Sequence, residues 1–105
     1  MTYTSDTTVL PPTTPGEILE EEFLVPMELS QNALARALGI PPRQINEIVH
    51  GKRAITARTA LLFAQYFGTT PEFWVNLQSH YALVQERENL ADALANITPH
   101  AAMAC

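Results

Sequence analysis

The chain has 105 residues, 47% of them apolar, which suffices for one domain with a single core and leaves no run near the ~20 apolar residues that a membrane helix requires. The net charge is -5 and the single cysteine is Cys105, so internal disulfides are excluded and a reducing cytoplasm is the expected compartment. The first residues lack a basic segment followed by an apolar one, so no secretory signal is expected.

The charges are concentrated in separate parts of the chain. Residues 1–29 contain six carboxylates and no Lys or Arg, whereas residues 30–58 contain five of the six basic residues and a single carboxylate, Glu47. Screening at physiological salt limits the reach of each charge to ~8 Å, so an acidic protein with one basic surface can still bind phosphates. Nucleic acid therefore remains a candidate partner for the basic window, residues 30–58.

A capping box opens the first predicted helix. In the segment 14–17, TPGE, Thr stands at the cap, Pro at the first helical position and Glu at the third, and this combination favours a helix start. Ile18, Leu19 and Phe23 form the apolar face of this helix. It is expected to end before Pro26, because the residue that precedes a proline is disfavoured in helical conformation.

Two short helices follow. Ser30 caps the second helix and Gly39 ends it. Pro41 and Pro42 start the third helix, since proline is tolerated in a first turn, and Gly51 closes it. The apolar residues at helical spacing are Leu34, Ala35 and Leu38 in the second helix, and Ile45, Ile48 and Val49 in the third. Each of these helices spans only about two turns.

The rest of the chain is also predicted to be helical. Thr56 caps a fourth helix that runs to Gly68, and Thr70 opens a fifth helix with an apolar stripe at Phe73, Leu77, Tyr81 and Val84. Residues 86–97 are amphipathic through Leu90, Leu94 and Ile97, and they either continue the fifth helix or form a separate one. No strand signal, internal repeat or low-complexity segment is found in the sequence.

These elements predict an all-α protein. The domain with the five helices is expected over residues 14–85, followed by a C-terminal amphipathic helix over residues 86–97. The segments 1–13 and 98–105 are expected to be flexible tails.

The second and third predicted helices together have the form of a helix-turn-helix. They are joined by a tight turn at Gly39, and the third helix is polar on its outer side. Such a helix places its N-terminal turns in a major groove about 12 Å wide, while neighbouring backbone meets the phosphates. Ala35 is small where the two helices would cross, and Ile45 faces inward to hold them together. The sequence therefore predicts a DNA-reading helix over residues 41–50.

The side chains expected to face base edges are Arg43, Gln44, Asn46 and Glu47. Arg can bind guanine with two hydrogen bonds, Gln or Asn can bridge adenine, and Glu can accept from cytosine, each pair discriminating by ~1–3 kcal/mol. Gln31, at the start of the second helix, is placed to bind a phosphate together with the amide groups of that helix. The positive charge for backbone contacts would come from Lys52, Arg53 and Arg58.

An ordinary surface helix whose polar face is only hydrated is the alternative interpretation of residues 41–50. Surface helices of that kind are far commoner than helices that read DNA, and the residue pattern alone does not separate the two. The clustering of positive charge in residues 30–58 favours DNA, because a basic patch on one face is the electrostatic signature of nucleic-acid binding.

Three segments carry a resemblance to a known family: PGEILEEEFL at 15–24, SQNALARALGIPPRQINEIVHGKRAIT at 30–56 and GTTPEFWVNLQ at 68–78. In this combination and order they resemble the HigA family of antitoxins, within the Cro/C1-type helix-turn-helix class. The resemblance implies a lambda-repressor-like, five-helix domain that dimerises and binds operator DNA upstream of its own operon. It also implies that the protein neutralises a HigB-type toxin, a small ribosome-dependent ribonuclease.

The same resemblance assigns site residues. The phosphate-binding glutamine of the class corresponds to Gln31, and the base-reading positions correspond to Pro42, Arg43, Gln44 and Glu47. Pro42 has no hydrogen-bond donor, so one reading position is lost. After Tyr81 the chain, including ERENLADALANI, departs from the family pattern, and the dimer and toxin contacts are therefore not assigned by the resemblance.

Two further groups could bind a protein partner. Phe73 and Trp74 could anchor one, since aromatic residues are enriched at interface hot spots, but core packing under the fifth helix is the favoured explanation, more so for Phe73 than for Trp74. Glu20 and Glu21, in the acidic run that Glu22 completes, could meet a basic toxin. A hydrated helix face is the ordinary explanation for such a run.

No catalytic or metal-binding constellation is evident in the sequence. The three histidines lie too far apart for close ligand spacing, and neither HExxH nor CxxC is present. No arrangement of Ser, His, Asp or Cys suggests a nucleophile with its base. We therefore expect neither an enzyme nor a bound cofactor or metal.

Two rival functions stay open at this stage. One is a stand-alone transcriptional repressor without a toxin partner. The other is a protein-interaction module without DNA binding, in which the first and fifth helices bind a partner. Under the antitoxin interpretation, the partners are double-stranded operator DNA, a HigB-like toxin and a second copy of the chain, which the fifth helix and the residues after it would bind.

Overall fold

The computed structural model describes residues 13–100, and every regular element in this range is helical. The first helix, α1, comprises an α-helical turn, Pro15–Ile18, that continues as a π-helical segment, Leu19–Leu24. The helices after it are α2 (Gln31–Leu38), α3 (Pro42–Val49), α4 (Ala57–Phe67), α5 (Pro71–Asn89) and α6 (Ala91–Ala95). The predicted all-α fold is therefore confirmed.

The predicted helix starts are confirmed by their caps. In α1, the hydroxyl of Thr14 accepts from the amide of Glu17 at 3.1 Å, and the carboxylate of Glu17 accepts from the amide of Thr14 at 2.9 Å. The Ser30 hydroxyl caps α2 through the amide of Ala33 at 3.0 Å. The hydroxyls of Thr56 and Thr70 accept in the same way at the starts of α4 and α5. These caps satisfy amide groups that would otherwise lack a partner.

Two glycines end helices as the sequence predicts. Gly39 and Gly68 have φ values of 72° and 76°, a left-handed conformation that a side chain disfavours. The left-handed turn at Gly39 connects α2 to α3 within three residues. It thereby sets the angle at which the second helix of the helix-turn-helix leaves the first.

The π-helical segment of α1 is not evident from the sequence. Its backbone bonds join residues five apart, as in the 2.9 Å bond from the amide of Val25 to the carbonyl of Glu20. Residues five apart are thereby brought to the same side, and Leu19 and Leu24 are both fully buried. Phe23 is half-buried beside them. The wider helical turn therefore lets α1 place two leucines in the core.

The core lies where α1 to α4 meet the first turns of α5. Its fully buried large side chains include Leu34 and Ile45, which hold α2 against α3, together with Phe63 and Trp74. Ala35 is also fully buried, as predicted for the crossing of α2 and α3. Around Trp74, the ring centroids of Phe23 and Phe63 each lie at 5.0 Å. This aromatic cluster joins α1, α4 and α5 into one body.

Gly16 is the point at which α1 contacts the end of α3. A Cβ atom at this position would overlap the carbonyl oxygen of Ile48 and lie 2.8 Å from that of Val49. Glycine is therefore required for the close approach of the two backbones, not for an unusual conformation. The contact fixes the C-terminal end of α3 against the body of the domain.

The C-terminal part of the fold differs from the predicted helix over 86–97 in its bounds. Residues 86–89 continue α5, which is one of the two predicted alternatives, and the backbone leaves helical geometry at Leu90 (φ -103°, ψ 10°) before the short helix α6. All of residues 85–100 are exposed, so no core packing supports a longer helix. Local preference then decides, and asparagine, present at positions 89 and 96, is a weak helix former.

None of the helices in residues 13–100 has both the length and the apolar content that crossing a membrane demands. Residues 1–12 and 101–105, most of the two predicted tails, lie outside the described range.

Candidate nucleic-acid interface

The third helix has the inner and outer sides that the sequence predicts. Ile45 and Ile48 are buried, while Arg43 and Asn46 are exposed. Pro42, the first residue of the helix, is exposed as well. Arg43 is exposed and Gln44 is partly exposed, so neither residue lies beneath other parts of the fold. The outer side of α3 is therefore open to a large ligand such as a duplex.

An ion-pair network connects α3 with the loop that follows it, residues 50–56. The Nε atom of Arg43 donates to Oε2 of Glu47 at 3.1 Å, and the Nε atom of Arg53 donates to Oε1 of the same carboxylate at 2.9 Å. Hydrogen bonds from Arg53 and then from Arg43 hold the pKa of Glu47 below its ordinary value. Three predicted DNA-binding residues are thus brought together, and the two arginines share one counter-ion.

A second contact joins the starts of α2 and α3. The side-chain amide of Asn46 donates to Oε1 of Gln31 at 3.2 Å. Gln31 is the first residue of α2, one position after the capping Ser30, and its own amide group remains able to donate to a phosphate. Asn46, predicted to read bases, therefore also contacts Gln31, the residue predicted to bind a phosphate.

Gln44 points from α3 toward the start of α4. Its amide nitrogen lies 3.5 Å from the hydroxyl of Thr59, a distance at the long end of hydrogen bonding. Thr59 is buried and also bonded at 3.2 Å to Thr56, the cap of α4. This contact links α3 to α4 and was not predicted. The predicted cap at Thr56 indicates that Thr59 lies in the first turn of α4, but it does not predict the contact with Gln44.

The remaining predicted basic residues lie close in sequence on the following loop and on α4. Lys52 and Arg53 are on the loop, and Arg58 is the second residue of α4, all three with exposed side chains. The loop is tied to α5, since the amide of Ile55 donates to Oε1 of Gln78 at 2.8 Å. Gln78 lies within the predicted fifth helix, and no sequence pattern predicts its contact with a residue 23 positions away.

The predicted partner-binding residues differ in how far they are exposed. Trp74 is fully buried and its Nε1 donates to the hydroxyl of Thr69 at 2.7 Å, so its prediction as a partner contact is corrected: the ring has no free surface. Phe73 keeps 38% of its surface exposed at the edge of the same cluster. Glu21 is exposed, whereas Glu20 is half-buried.

Comparison with known proteins identifies relatives of this domain. The family model described as helix-turn-helix matches residues 21–74. The virulence-associated protein I of Dichelobacter nodosus is 53% identical over 74 residues, covering 70% of this chain and 68% of that protein. Antitoxin HigA-1 of Vibrio cholerae is 34% identical over 88 residues, covering 84% and 83% of the two chains. The solved Pseudomonas aeruginosa antitoxin HigA with the higBA promoter has a TM-score of 0.81 at 40% identity, covering 84% of this chain and 97% of that chain.

Two short helices that cross at a small residue, the second with an exposed polar side, define the helix-turn-helix class of DNA-binding regulators. The chain belongs to this helix-turn-helix family and, within it, to the group that contains the HigA antitoxins. The family is one of regulators and antitoxins, which is not a class of enzymes.

Proposed function

We propose that this protein is a cytoplasmic antitoxin that binds operator DNA, represses its own operon and neutralises a HigB-like ribonuclease. The observation that carries the DNA-binding part is the exposed polar side of α3 within the chain's basic window. It is supported by the relative whose structure was solved with the higBA promoter. The toxin-neutralising part is supported by the relatives named antitoxins.

Each residue of the interface takes a role that fits its position. Arg43 is 86% exposed, and with its Nε bonded to Glu47 it presents its two terminal amino groups to a guanine. Gln44 and Asn46 face the neighbouring bases. Gln31, Lys52, Arg53 and Arg58 bind phosphates, which position the protein on the duplex without reading its sequence.

A homodimer is the form that binds such an operator, because a two-fold protein matches a near-palindromic site with half-sites about one helical turn apart. We place the dimer contact on the outer side of α5, on α6 and on the residues that flank α6. Leu83 is on α5, Leu94 is on α6, and Leu90 and Ile97 flank α6; each exposes more than 40% of its surface. Burying this apolar surface against a second copy would stabilise the dimer.

The toxin contact is proposed on the acidic first helix, at Glu20 and Glu21, with Phe73 beside it. The ring of Phe73 lies 6.2 Å from that of Phe23, so α1 and the start of α5 form one continuous surface. The carboxylates of this surface would attract the positive charges of a basic ribonuclease, and the aromatic ring would pack against its apolar atoms.

DNA binding is tested with two variants and a control of equal charge. Arg43→Ala should weaken operator binding by about 1–3 kcal/mol and relax the base preference at one position. Lys52→Ala should weaken all duplexes alike and reduce the salt slope by about 1. Arg87→Ala removes the one Lys or Arg outside the basic window. Once sedimentation shows that this variant dimerises as the wild type does, it should change neither the base preference nor the salt slope. The DNA-reading assignment of α3 fails if Arg43→Ala binds every operator variant as the wild type does.

Toxin neutralisation is tested by co-purification with the product of the adjacent gene, followed by a ribonuclease assay. Recovery of a small basic ribonuclease that this protein inhibits would support the antitoxin role. Operator binding without such a partner would favour a stand-alone repressor. If the protein binds no duplex, or binds a random duplex without any response to salt, the protein-interaction module is favoured instead.

A further inference from the structure

Glu47 occupies a base-reading position by family resemblance, yet both oxygens of its carboxylate are already paired within the protein. Oε2 accepts from Arg43 at 3.1 Å and Oε1 accepts from Arg53 at 2.9 Å. A cytosine would have to share one of these oxygens with an arginine, because each oxygen already holds one charge-assisted hydrogen bond. The structure therefore favours the arginines over a base as the partners of Glu47.

The relative exposure of the Glu47 and Arg43 side chains agrees with this picture. The Glu47 side chain is 24% exposed, against 86% for Arg43, so the carboxylate lies closer to the body of the protein than the guanidinium does. A duplex approaching α3 meets Arg43 before it meets Glu47. The hydrogen bonds from the two arginines also keep the pKa of Glu47 low, so the carboxylate is charged at neutral pH.

The geometry of the pairs leaves Arg43 in a useful orientation. Because the contact to Glu47 uses Nε, the opposite edge of the guanidinium, with its two terminal amino groups, is the edge presented to solvent. Binding of O6 and N7 of guanine requires two parallel N–H groups on such a fork. A carboxylate on the Nε side holds the fork in one orientation before DNA binds.

The same carboxylate also limits binding to random DNA. Sequence-independent affinity comes from cations that bind phosphates, and here two cations share one anion. A phosphate is attracted by net positive charge, and the carboxylate of Glu47 partly neutralises both Arg43 and Arg53. The O6 and N7 atoms of guanine are neutral acceptors, so their hydrogen bonds to the free edge of Arg43 depend less on that net charge.

We propose that Glu47 is a specificity residue that acts through Arg43 and Arg53, orienting the first for guanine and withholding both from random phosphates, without itself contacting a base. This role rests on the proposed DNA-binding function.

The test compares Glu47→Gln with the wild type on an operator duplex and on a random duplex of equal length, each over a series of salt concentrations. Glu47→Gln should bind the random duplex about two- to thirtyfold more tightly, the range expected for the loss of two exposed ion pairs. Its salt slope on that duplex should steepen by about 1 to 2. The ratio of operator to random affinity should fall. Glu88→Gln, which removes an exposed carboxylate from the end of α5, is the control for net charge.

A double-mutant cycle with Arg43→Ala shows whether Glu47 acts through that arginine. At the base pair that Arg43 selects, Glu47→Gln should reduce discrimination in the wild-type background and leave it unchanged in Arg43→Ala. The proposal is overturned if Glu47→Gln weakens operator binding equally in both backgrounds with random binding unchanged, which is the behaviour of a direct base contact. It is also overturned if Glu47→Gln and Glu88→Gln behave alike. Failure of the wild type to bind either duplex would instead refute the proposed function.

Discussion

Two regions of this protein contain apolar residues at helical spacing, and only one of them forms a core. Between residues 14 and 84, the apolar faces of α1 to α4 and the start of α5 are buried, and Trp74 has no exposed surface. Between residues 85 and 97, Leu90, Leu94 and Ile97 expose between 43% and 66% of theirs. Helical periodicity thus identifies an apolar face in both regions, but burial depends on whether another element lies opposite that face.

The difference separates residues that stabilise the domain from residues available to a partner. A buried side chain contributes to the free energy of unfolding of one chain, whereas an exposed apolar side chain contributes only when a second surface covers it. Substitutions in the two regions should therefore respond to different measurements. Three variants test whether the two regions differ in this way, and they are given in decreasing order of expected effect.

The largest effect is expected for Trp74→Ala. The ring packs between Phe23 and Phe63, and its Nε1 donates to Thr69, so truncation opens a cavity and leaves a hydroxyl without its partner. The free energy of unfolding, measured by urea titration, should fall by about 3–5 kcal/mol. Phe73→Ala, at the exposed edge of the same cluster, is the control and should cost clearly less. A loss of less than about 1 kcal/mol for Trp74→Ala would contradict its place at the centre of the core.

The next effect is expected for Gly16→Ala, which tests the contact of α1 with the end of α3. The added methyl group would overlap the carbonyl oxygen of Ile48, a backbone atom that cannot rotate away. We expect a loss of about 1–3 kcal/mol in the free energy of unfolding, because one backbone must move. Gly68→Ala is the control, since its Cβ would meet nothing within 4 Å and only its positive φ is disfavoured. A loss below about 0.5 kcal/mol for Gly16→Ala would show that the close approach at Gly16 is not a structural requirement.

The smallest effect on the domain itself is expected for the combined substitutions Leu90→Ser, Leu94→Ser and Ile97→Ser. Each side chain is exposed in the single chain, so each replacement should change the free energy of unfolding of the monomer by no more than about 0.5 kcal/mol. Sedimentation should nevertheless show a shift from dimer to monomer, and operator binding should weaken. A variant that remains dimeric would move the dimer contact elsewhere, and one that unfolds readily would assign these residues to the core.

Most of the fold could be predicted from the sequence because its signals are local. Thr14, Ser30, Thr56 and Thr70 accept hydrogen bonds from amides three residues ahead, and Gly39 adopts the left-handed turn after α2. Such bonds span at most one turn of helix, so they are visible in a short window of sequence. The start of every long helix was therefore correctly placed.

The parts that could not be predicted depend on residues far apart in sequence. The π-helical segment of α1 exists because Leu19 and Leu24 both reach the core, and that requirement is set by the other helices. The bond from Ile55 to Gln78 and the contact of Gly16 with Ile48 likewise join separate elements. The end of α5 at Asn89 was also missed, since it reflects an absence of packing that no local pattern records.

The candidate interface divides in the same way. That Arg43, Asn46 and Glu47 lie on the outer side of α3 follows from helical periodicity, and the structure agrees. The pairing of these side chains with other residues could not be predicted from the sequence. The pairing of Arg53 with Glu47 and of Asn46 with Gln31 depends on how the loop and α2 pack beside α3.

The amino-acid sequence alone indicates where the helices begin, which of their faces are apolar, and that five of the six Lys and Arg residues lie in residues 30–58. These properties depend on neighbours within a few positions, which hydrogen bonding along a helix and the repeat of 3.6 residues relate directly. Only the tertiary structure decided that Trp74 belongs to the core, that α1 needs a wider turn, and that one carboxylate holds two arginines. Those outcomes depend on which surfaces meet in three dimensions, and the meeting is settled by packing among all the helices at once.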